Sequence, residues 1–381
     1  MFASLDPKYK RTLRCLRQRL FLLVCLLTWA SAAYAADGCA AASFSTAAFF
    51  PAGNEPVAVK TQDFNGDGRP DLALANSNSN DVSILLSYGL DGFSPAVNYP
   101  TGSSPVSLAV GDFNGDGKAD LVSANYDARS ISVLFGTGTG TFGAPRNITT
   151  AAEPYGLAVA DFNGDGSDDV AVGSVVFNSV TILLSDGAGG FTAAGAPLAA
   201  GGPAYHIIVA RLDGDALPDL VVSRQSGTTI FLGNGAGDFR PGISLPAAYF
   251  FVSAVGDFNG DDKTDLVGSG SAQGVSLMLG DGTGNFFGPT IFGVSANSYG
   301  AMTVGDFNGD GKADVAAVDS TANAVSILLG DGAGRLGPVT SYGVGGWSGG
   351  ITAGDFNADG KIDLAVASRQ FGVAAVLYGR G

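Results

Sequence analysis

One nine-residue phrase returns seven times at nearly constant spacing, and no other property of the chain narrows its fold so far. The first copy runs Asp63-Phe64-Asn65-Gly66-Asp67-Gly68-Arg69-Pro70-Asp71. Later copies start at Asp112, Asp161, Arg211, Asp257, Asp306 and Asp355, at intervals of 49, 49, 50, 46, 49 and 49 residues. A fixed period of this length means stacked supersecondary units, each burying its apolar face against a neighbour. The phrase follows an alternating run such as Val106-Ser107-Leu108-Ala109-Val110 and precedes another such as Leu72-Ala73-Leu74-Ala75. Period-two alternation identifies strands, so the phrase is a loop between two strands.

Each unit holds four apolar runs, in the second unit Val106–Gly111, Leu121–Asn125, Ser130–Phe135 and Phe142–Thr149. Helical periodicity is absent, and 58 glycines suit tight hairpins rather than helices. Four short strands in each of seven units predict an all-β fold, a seven-bladed β-propeller of four-stranded blades. The last unit stops after its third run, Val373–Tyr378, while an extra segment, Phe44–Pro51, precedes the first. Phe44 lies 19 residues before Asp63, as Phe93 does before Asp112. The N-terminal segment therefore supplies the missing strand of the last blade and closes the ring, leaving no open edge.

The phrase also reads as a metal loop. Side-chain oxygens recur at positions 1, 3, 5 and 9, and position 7 can add its backbone carbonyl. The expected ligands are Asp63, Asn65, Asp67, Arg69 and Asp71; Asp112, Asn114, Asp116, Lys118 and Asp120; Asp161, Asn163, Asp165, Ser167 and Asp169. In the later copies they are Asp257, Asn259, Asp261, Lys263 and Asp265; Asp306, Asn308, Asp310, Lys312 and Asp314; Asp355, Asn357, Asp359, Lys361 and Asp363. Hard oxygens in this number point to Ca²⁺, in about six sites. Zn²⁺ would require His or Cys. An EF-hand would need Glu at position 12, where the first copy has Leu74. The fourth copy departs, with Arg211 at position 1 and Ala216 at position 6. Arg211 is expected to place its own charge in the metal position and leave that loop without Ca²⁺. The fifth copy keeps its oxygens but carries Asp262 where the others have glycine.

The first 35 residues read as a signal peptide. Lys8, Lys10, Arg11, Arg14, Arg17 and Arg19 form a basic region, Leu20 to Trp29 is apolar, and Ala33-Tyr34-Ala35 resembles a cleavage site. Residues 40–381 form the propeller, secreted, extracellular or at the cell surface, with the periplasm also open. No membrane span is expected after cleavage, and an uncleaved N-terminal anchor is the alternative. Of three cysteines only Cys39 outlasts cleavage, so no internal disulfide forms and bound ions are the natural staple. Residues beyond 36 carry 14 basic and 34 acidic side chains, of which 21 acids occupy loop positions. The acidity is metal chemistry, and the lack of a basic patch argues against nucleic acid.

The Asp-Phe-Asn-Gly-Asp-Gly-Lys-Ala-Asp copies at Asp112 and Asp306, followed by apolar strands and a Leu-Gly-Asp-Gly turn, resemble FG-GAP repeats, also classed as VCBS repeats. That family includes the propeller heads of integrin alpha subunits. The resemblance covers about residues 40–381 and implies a seven-bladed propeller with calcium between first and second strands. It also implies that ligands meet the face opposite the calcium loops. In this chain that face collects Tyr126, Arg129, Tyr155, Phe177, Tyr205, His206, Arg224, Tyr249, Phe250, Tyr299, Trp347, Arg369 and Phe371. The expected function is non-catalytic recognition or adhesion toward an extracellular protein or glycan. Two alternatives stay open: a polysaccharide lyase or hydrolase using His206 and Tyr205, with Glu55 and Glu153 nearby, and a lectin.

Overall fold

The computed structural model describes residues 41–224, 227–245, 251–269, 274–293, 299–346 and 348–381. The signal segment, Cys39, Tyr249, Phe250 and Trp347 lie outside them. The chain forms seven antiparallel sheets, each the blade of a seven-bladed β-propeller. The only described helical piece is a single 3₁₀ turn at Gly89–Asp91. Among the described residues no helix is long and apolar enough to cross a membrane.

The first blade shows how the alternation works. Its strands are Pro56–Gln62, Asp71–Asn76, Asp81–Leu85 and Val97–Pro100, hydrogen-bonded in that order. Asp71–Asn76 is buried on both faces, as in the second strand of every blade over most of its length. Successive side chains of a strand point to opposite faces. Leu72 and Leu74 therefore enter one core with Ala365, Ala367 and Val376 of the last blade. Ala73 and Ala75 enter another with Leu108, Leu121 and Leu134 of the second. One strand feeds two interfaces, and seven such cores run around the ring. The outermost strand meets water, and Val97–Pro100 is mostly exposed.

In the first, second, sixth and seventh blades the fourth strand is shorter than the sequence pattern implies, whereas Phe239–Leu245 and Phe286–Gly293 run their full length. Phe142 forms an isolated bridge to Gly136, and the regular strand begins only at Arg146. The phenylalanine is turned into the core instead of extending the ladder. In the third blade the outer strand is split into Phe191–Ala193 and Leu198–Ala199, both paired with Ser179–Ser185.

Ala48–Pro51 pairs antiparallel with Val373–Leu377, from Ala48 opposite Val376 to Pro51 opposite Val373. Phe44 bridges Gly379, and the Ser45 amide donates to the Tyr378 carbonyl at 2.8 Å. The Phe44 ring meets Phe307 and Tyr342 edge to face, with centroids 6.1 and 5.3 Å away. The ring is thus closed by the segment Phe44–Pro51. Phe44→Ala should cost about 3–5 kcal/mol, the range for a large buried aromatic. A urea denaturation midpoint unchanged from the parent would show that closure contributes little.

Candidate functional site

The first strands of all seven blades surround a central channel with a cavity of about 1160 Å³. One end is the mouth where first strands begin and the hairpins between second and third strands turn. Five of the residues expected on the ligand face line it: Tyr126, Tyr155, Tyr205, His206 and Arg369. Tyr155 meets Tyr126 at 6.2 Å and Tyr205 at 5.3 Å, with interplanar angles of 87° and 90°. The three rings make a corner of amphipathic faces. Burial raises the Tyr155 pKa, opposed by the positive charge of Arg369.

The Arg369 Nε is shielded from water and has no hydrogen-bond partner among the described residues. Leaving such a donor unsatisfied costs about 1–3 kcal/mol. His206 stacks on Phe251 at 6.0 Å, and its Nδ1 lies 3.3 Å from the Val252 carbonyl oxygen. Burial, then the charge of Lys60, lowers its pKa to about 4, so the ring is neutral at pH 7. Lys60 is enclosed by the surrounding strands, yet its side chain meets water because it stands in the channel. That enclosure lowers its pKa. Among the described residues no Asp or Glu lines the channel.

The other ligand-face candidates do not converge there. Arg129 is exposed and pairs with Glu153 at 2.6 Å. Arg224 donates to the Gly201 carbonyl at 3.1 Å. Glu55 lies beside Ser77, its backbone carbonyl accepting the Ser77 amide at 3.0 Å. Tyr299 begins a strand opposite Asp319. Phe177 and Phe371 are exposed. Tyr249, Phe250 and Trp347 fall outside the described residues. Sequence reading missed Lys60, Phe251, Ser77 and Ser104, all of which line the channel. The signal was present in the register. Three residues before each loop the seven copies have Lys60, Ala109, Ala158, Ile208, Ala254, Thr303 and Thr352, so Lys60 alone is charged.

The opposite end carries the loops, and their position-9 acids are the most regular feature of the molecule. Asp71 is fully buried and accepts the Phe64 amide at 2.9 Å with one oxygen and the Ser87 amide at 2.7 Å with the other. The same pair of bonds recurs at Asp120, Asp169, Asp219, Asp265, Asp314 and Asp363. Burial pushes Asp71, Asp120, Asp169, Asp314 and Asp363 up to about 6, and the loop acids at positions 5 and 1 add to the rise. At position 1, Asp63 accepts the amides of Gly66 at 2.7 Å and Gly68 at 2.8 Å. These turns need positive φ, 76° at Gly66 and 83° at Gly68. The fifth loop keeps the turn, since Asp262 takes φ 60° and donates to Asp257 at 2.8 Å.

In four loops the side chain at position 7 pairs with position 5: Arg69 with Asp67 at 2.5 Å, Lys118 with Asp116 at 3.1 Å, Lys263 with Asp261 at 3.3 Å and Lys312 with Asp310 at 3.4 Å. Among the described residues no three acidic, His or Cys side chains stand grouped as a closed cage. The donor chemistry still fits Ca²⁺. Each loop offers several hard oxygens, a carboxylate oxygen that accepts one amide keeps a further lone pair, and mutually repelling acids favour a cation between them.

The fourth loop is held differently from the expectation. Arg211 is exposed and makes no ion pair among the described residues. The guanidinium at this loop is that of Arg240, from the outer strand Phe239–Leu245, 3.0 Å from the largely buried Asp213. Asp219 keeps both amides there, from Leu212 and Gly233, each at 2.8 Å. Asp219→Ala strands two buried donors at about 1–3 kcal/mol each, a loss of about 2–6 kcal/mol, equally with and without Ca²⁺. A chemical denaturation curve matching the parent would remove the structural role assigned to position 9.

Models of the FG-GAP-like repeat match residues 63–123, 112–172, 161–222, 211–268, 257–317 and 306–366. A search of curated proteins found no match. Among solved structures, an Agrocybe aegerita lectin that recognises non-reducing terminal N-acetylglucosamine superposes with a TM-score of 0.57 at 20% identity, over 87% of this chain and 97% of that one. The BP39L lectin of Burkholderia pseudomallei gives 0.62 at 16% identity, over 86% and 96%. BBS1N, solved in complex with ARL6DN, gives 0.58 at 14% identity, over 88% and 98%. At these identities the solved structures establish a shared fold. The repeat models span well over half of the chain, which belongs to the FG-GAP-like repeat family.

Proposed function

We propose that this protein is an exported, calcium-stabilised recognition module that takes its ligand, without catalysis, at the tyrosine-lined mouth of the channel. The observation that carries the reading is the convergence of Tyr126, Tyr155, Tyr205, His206 and Arg369, from four different segments, on one water-accessible opening. Aromatic rings with an arginine make a strong recognition set. Similar structures that include two lectins and an interaction module support binding over chemistry. His206 supports it too, since its ring is neutral, stacked and directed at a backbone carbonyl. The basic and apolar N-terminal segment supports export.

Ca²⁺ would be held by the position 1, 3, 5 and 9 side chains of every loop except the fourth, where Arg240 already supplies positive charge. Sites of extracellular type have dissociation constants on the order of 10⁻⁴–10⁻³ M. At ten times that concentration each site adds about 1.4 kcal/mol by mass action. The melting temperature should rise with millimolar Ca²⁺ and fall in excess chelator. Coincident melting curves would remove calcium from the proposal. The mouth is tested by capturing ligands from extracellular material on the immobilised mature protein. Tyr155→Ala together with Arg369→Ala should lose the captured ligand by at least about tenfold while melting like the parent. Undiminished capture by the double variant would place recognition elsewhere.

A further inference from the structure

The charge of the channel is opposite to that of the chain. The protein carries 35 acidic and 20 basic residues, a formal net charge of −15. Yet among the described residues the channel lining contains Lys60 and Arg369 and no carboxylate. Neither cation forms an ion pair among the described residues. Everywhere else in the described structure, acids and bases that approach one another are paired on the surface or in the loops. Two bases left without acids in one enclosed opening make a site for an external anion.

The two cations stand at different depths. Arg369 belongs to the hairpin following Asp363–Ser368, at the mouth. Lys60 pairs with Ala73, two steps from the Gln62–Asp71 end of its ladder, so it lies deeper toward the loops. The mouth therefore presents one planar fork rather than a cluster of point charges. A single guanidinium matches a planar carboxylate in two parallel bonds. A phosphate dianion is met by clustered cations or by a cradle of backbone amides, and the channel lining offers neither at the mouth.

The remaining groups at the mouth select what carries the carboxylate. Six residues before each loop the copies read Val57, Val106, Tyr155, Tyr205, Phe251, Gly300 and Gly349, so aromatics occur in three consecutive blades. Among the described residues the aromatic wall is one-sided. Arg369, Tyr126 and Ser77 occupy a second shared register, 14 residues after their loop starts, and all three line the opening. No hydrogen bond within the described residues uses the phenol oxygen of Tyr126, Tyr155 or Tyr205. An apolar ring face bordered by free hydroxyls matches a pyranose, which has C–H faces and a hydroxyl rim. An acidic peptide side chain would use the arginine and leave the phenols without partners.

We propose that the channel mouth binds a carboxylate-bearing sugar unit of an acidic glycan, the carboxylate on Arg369 and the sugar ring against the Tyr126–Tyr155–Tyr205 corner. Lys60 adds attraction from below without contact. This rests on the mouth being the recognition site and goes further by naming the ligand class.

The test is titration calorimetry of the whole mature protein in Ca²⁺ buffer. The probes are trigalacturonic acid with its methyl ester, and sialyllactose with lactose. At least one acid should bind at least about tenfold more tightly than its neutral counterpart, a gap that Arg369→Gln abolishes and Arg369→Lys partly restores. Tyr155→Ala should weaken acid and neutral forms alike, with the melting temperature of each variant matching the parent. Equal binding of acid and neutral forms, or a gap that survives Arg369→Gln, overturns the carboxylate assignment while leaving recognition at the mouth intact. Competition by oligoglutamate as strong as by the acidic sugar overturns the glycan assignment. Absence of saccharide binding overturns this inference, and it reaches the wider reading only if the double variant also captures ligand undiminished.

Discussion

The fold depends on one residue pair in each loop, the buried Asp at position 9 and the amide of position 2. The Asp ties the start of its own loop to the end of the third strand of the same blade, as Asp71 does with Phe64 and Ser87. Position 2 then reaches the neighbouring blade. The Phe64 carbonyl accepts the Gly140 amide at 2.9 Å, and its ring meets Phe142 at 5.5 Å. The Phe113–Phe191, Phe162–Phe239 and Phe356–Phe93 pairs repeat the contact around the ring. The Phe44–Phe307 pair carries it across the closure. Within a blade the link is a charged acceptor between two amides; between blades it is an aromatic edge and one backbone bond. A buried carboxylate is costly unless fully bonded, and this one is bonded by backbone groups that would otherwise be orphaned.

That knot explains why the loop can be read as a metal site and as a structural device together. The position-9 acid is held by protein donors alone, so this knot does not require a cation in the loop. The fourth blade illustrates this. Arg211 stands where the other loops have their first acid, Arg240 pairs with Asp213, and Asp219 still holds its two amides. Position-2 aromaticity is also relaxed there, since Leu212 fills the place of phenylalanine.

The blade count, the strand between Ala48 and Pro51 and the loop positions were legible because each follows from a spacing. Period two marked the strands, the near-constant interval marked the units, and the Phe44 offset marked the closure. The short outer strands were not legible. Phe142 carries a strand-like signal but spends its side chain on the neighbouring Phe64, a contact that exists only once blades stack. The cation of the fourth loop was assigned to Arg211 because it lies within the phrase. Arg240 is 27 positions beyond Asp213 and reaches it through the fourth strand, which no local pattern encodes. The ligand face was legible as a set of residues but not as a site. Tyr126, Tyr155, Tyr205 and Arg369 come together only through the closed ring, whereas Arg129 is diverted by Glu153 on the rim.

The two ends of the ring divide the demands on the sequence. At the loop end every blade must make the same knot, so the phrase repeats and the acids concentrate there. At the mouth the hairpins and strand starts make no such knot, and the sequence is free to differ from blade to blade. Lys60, His206 and Arg369 are each unmatched at their registers in the other six copies. In a closed ring of near-identical units, seven equal positions surround one axis, and a single ligand on that axis can be gripped specifically only by residues that break the equality. These departures from repetition line the channel, and among the described residues the one-sided aromatic wall with a single arginine is the asymmetry that a single bound molecule requires.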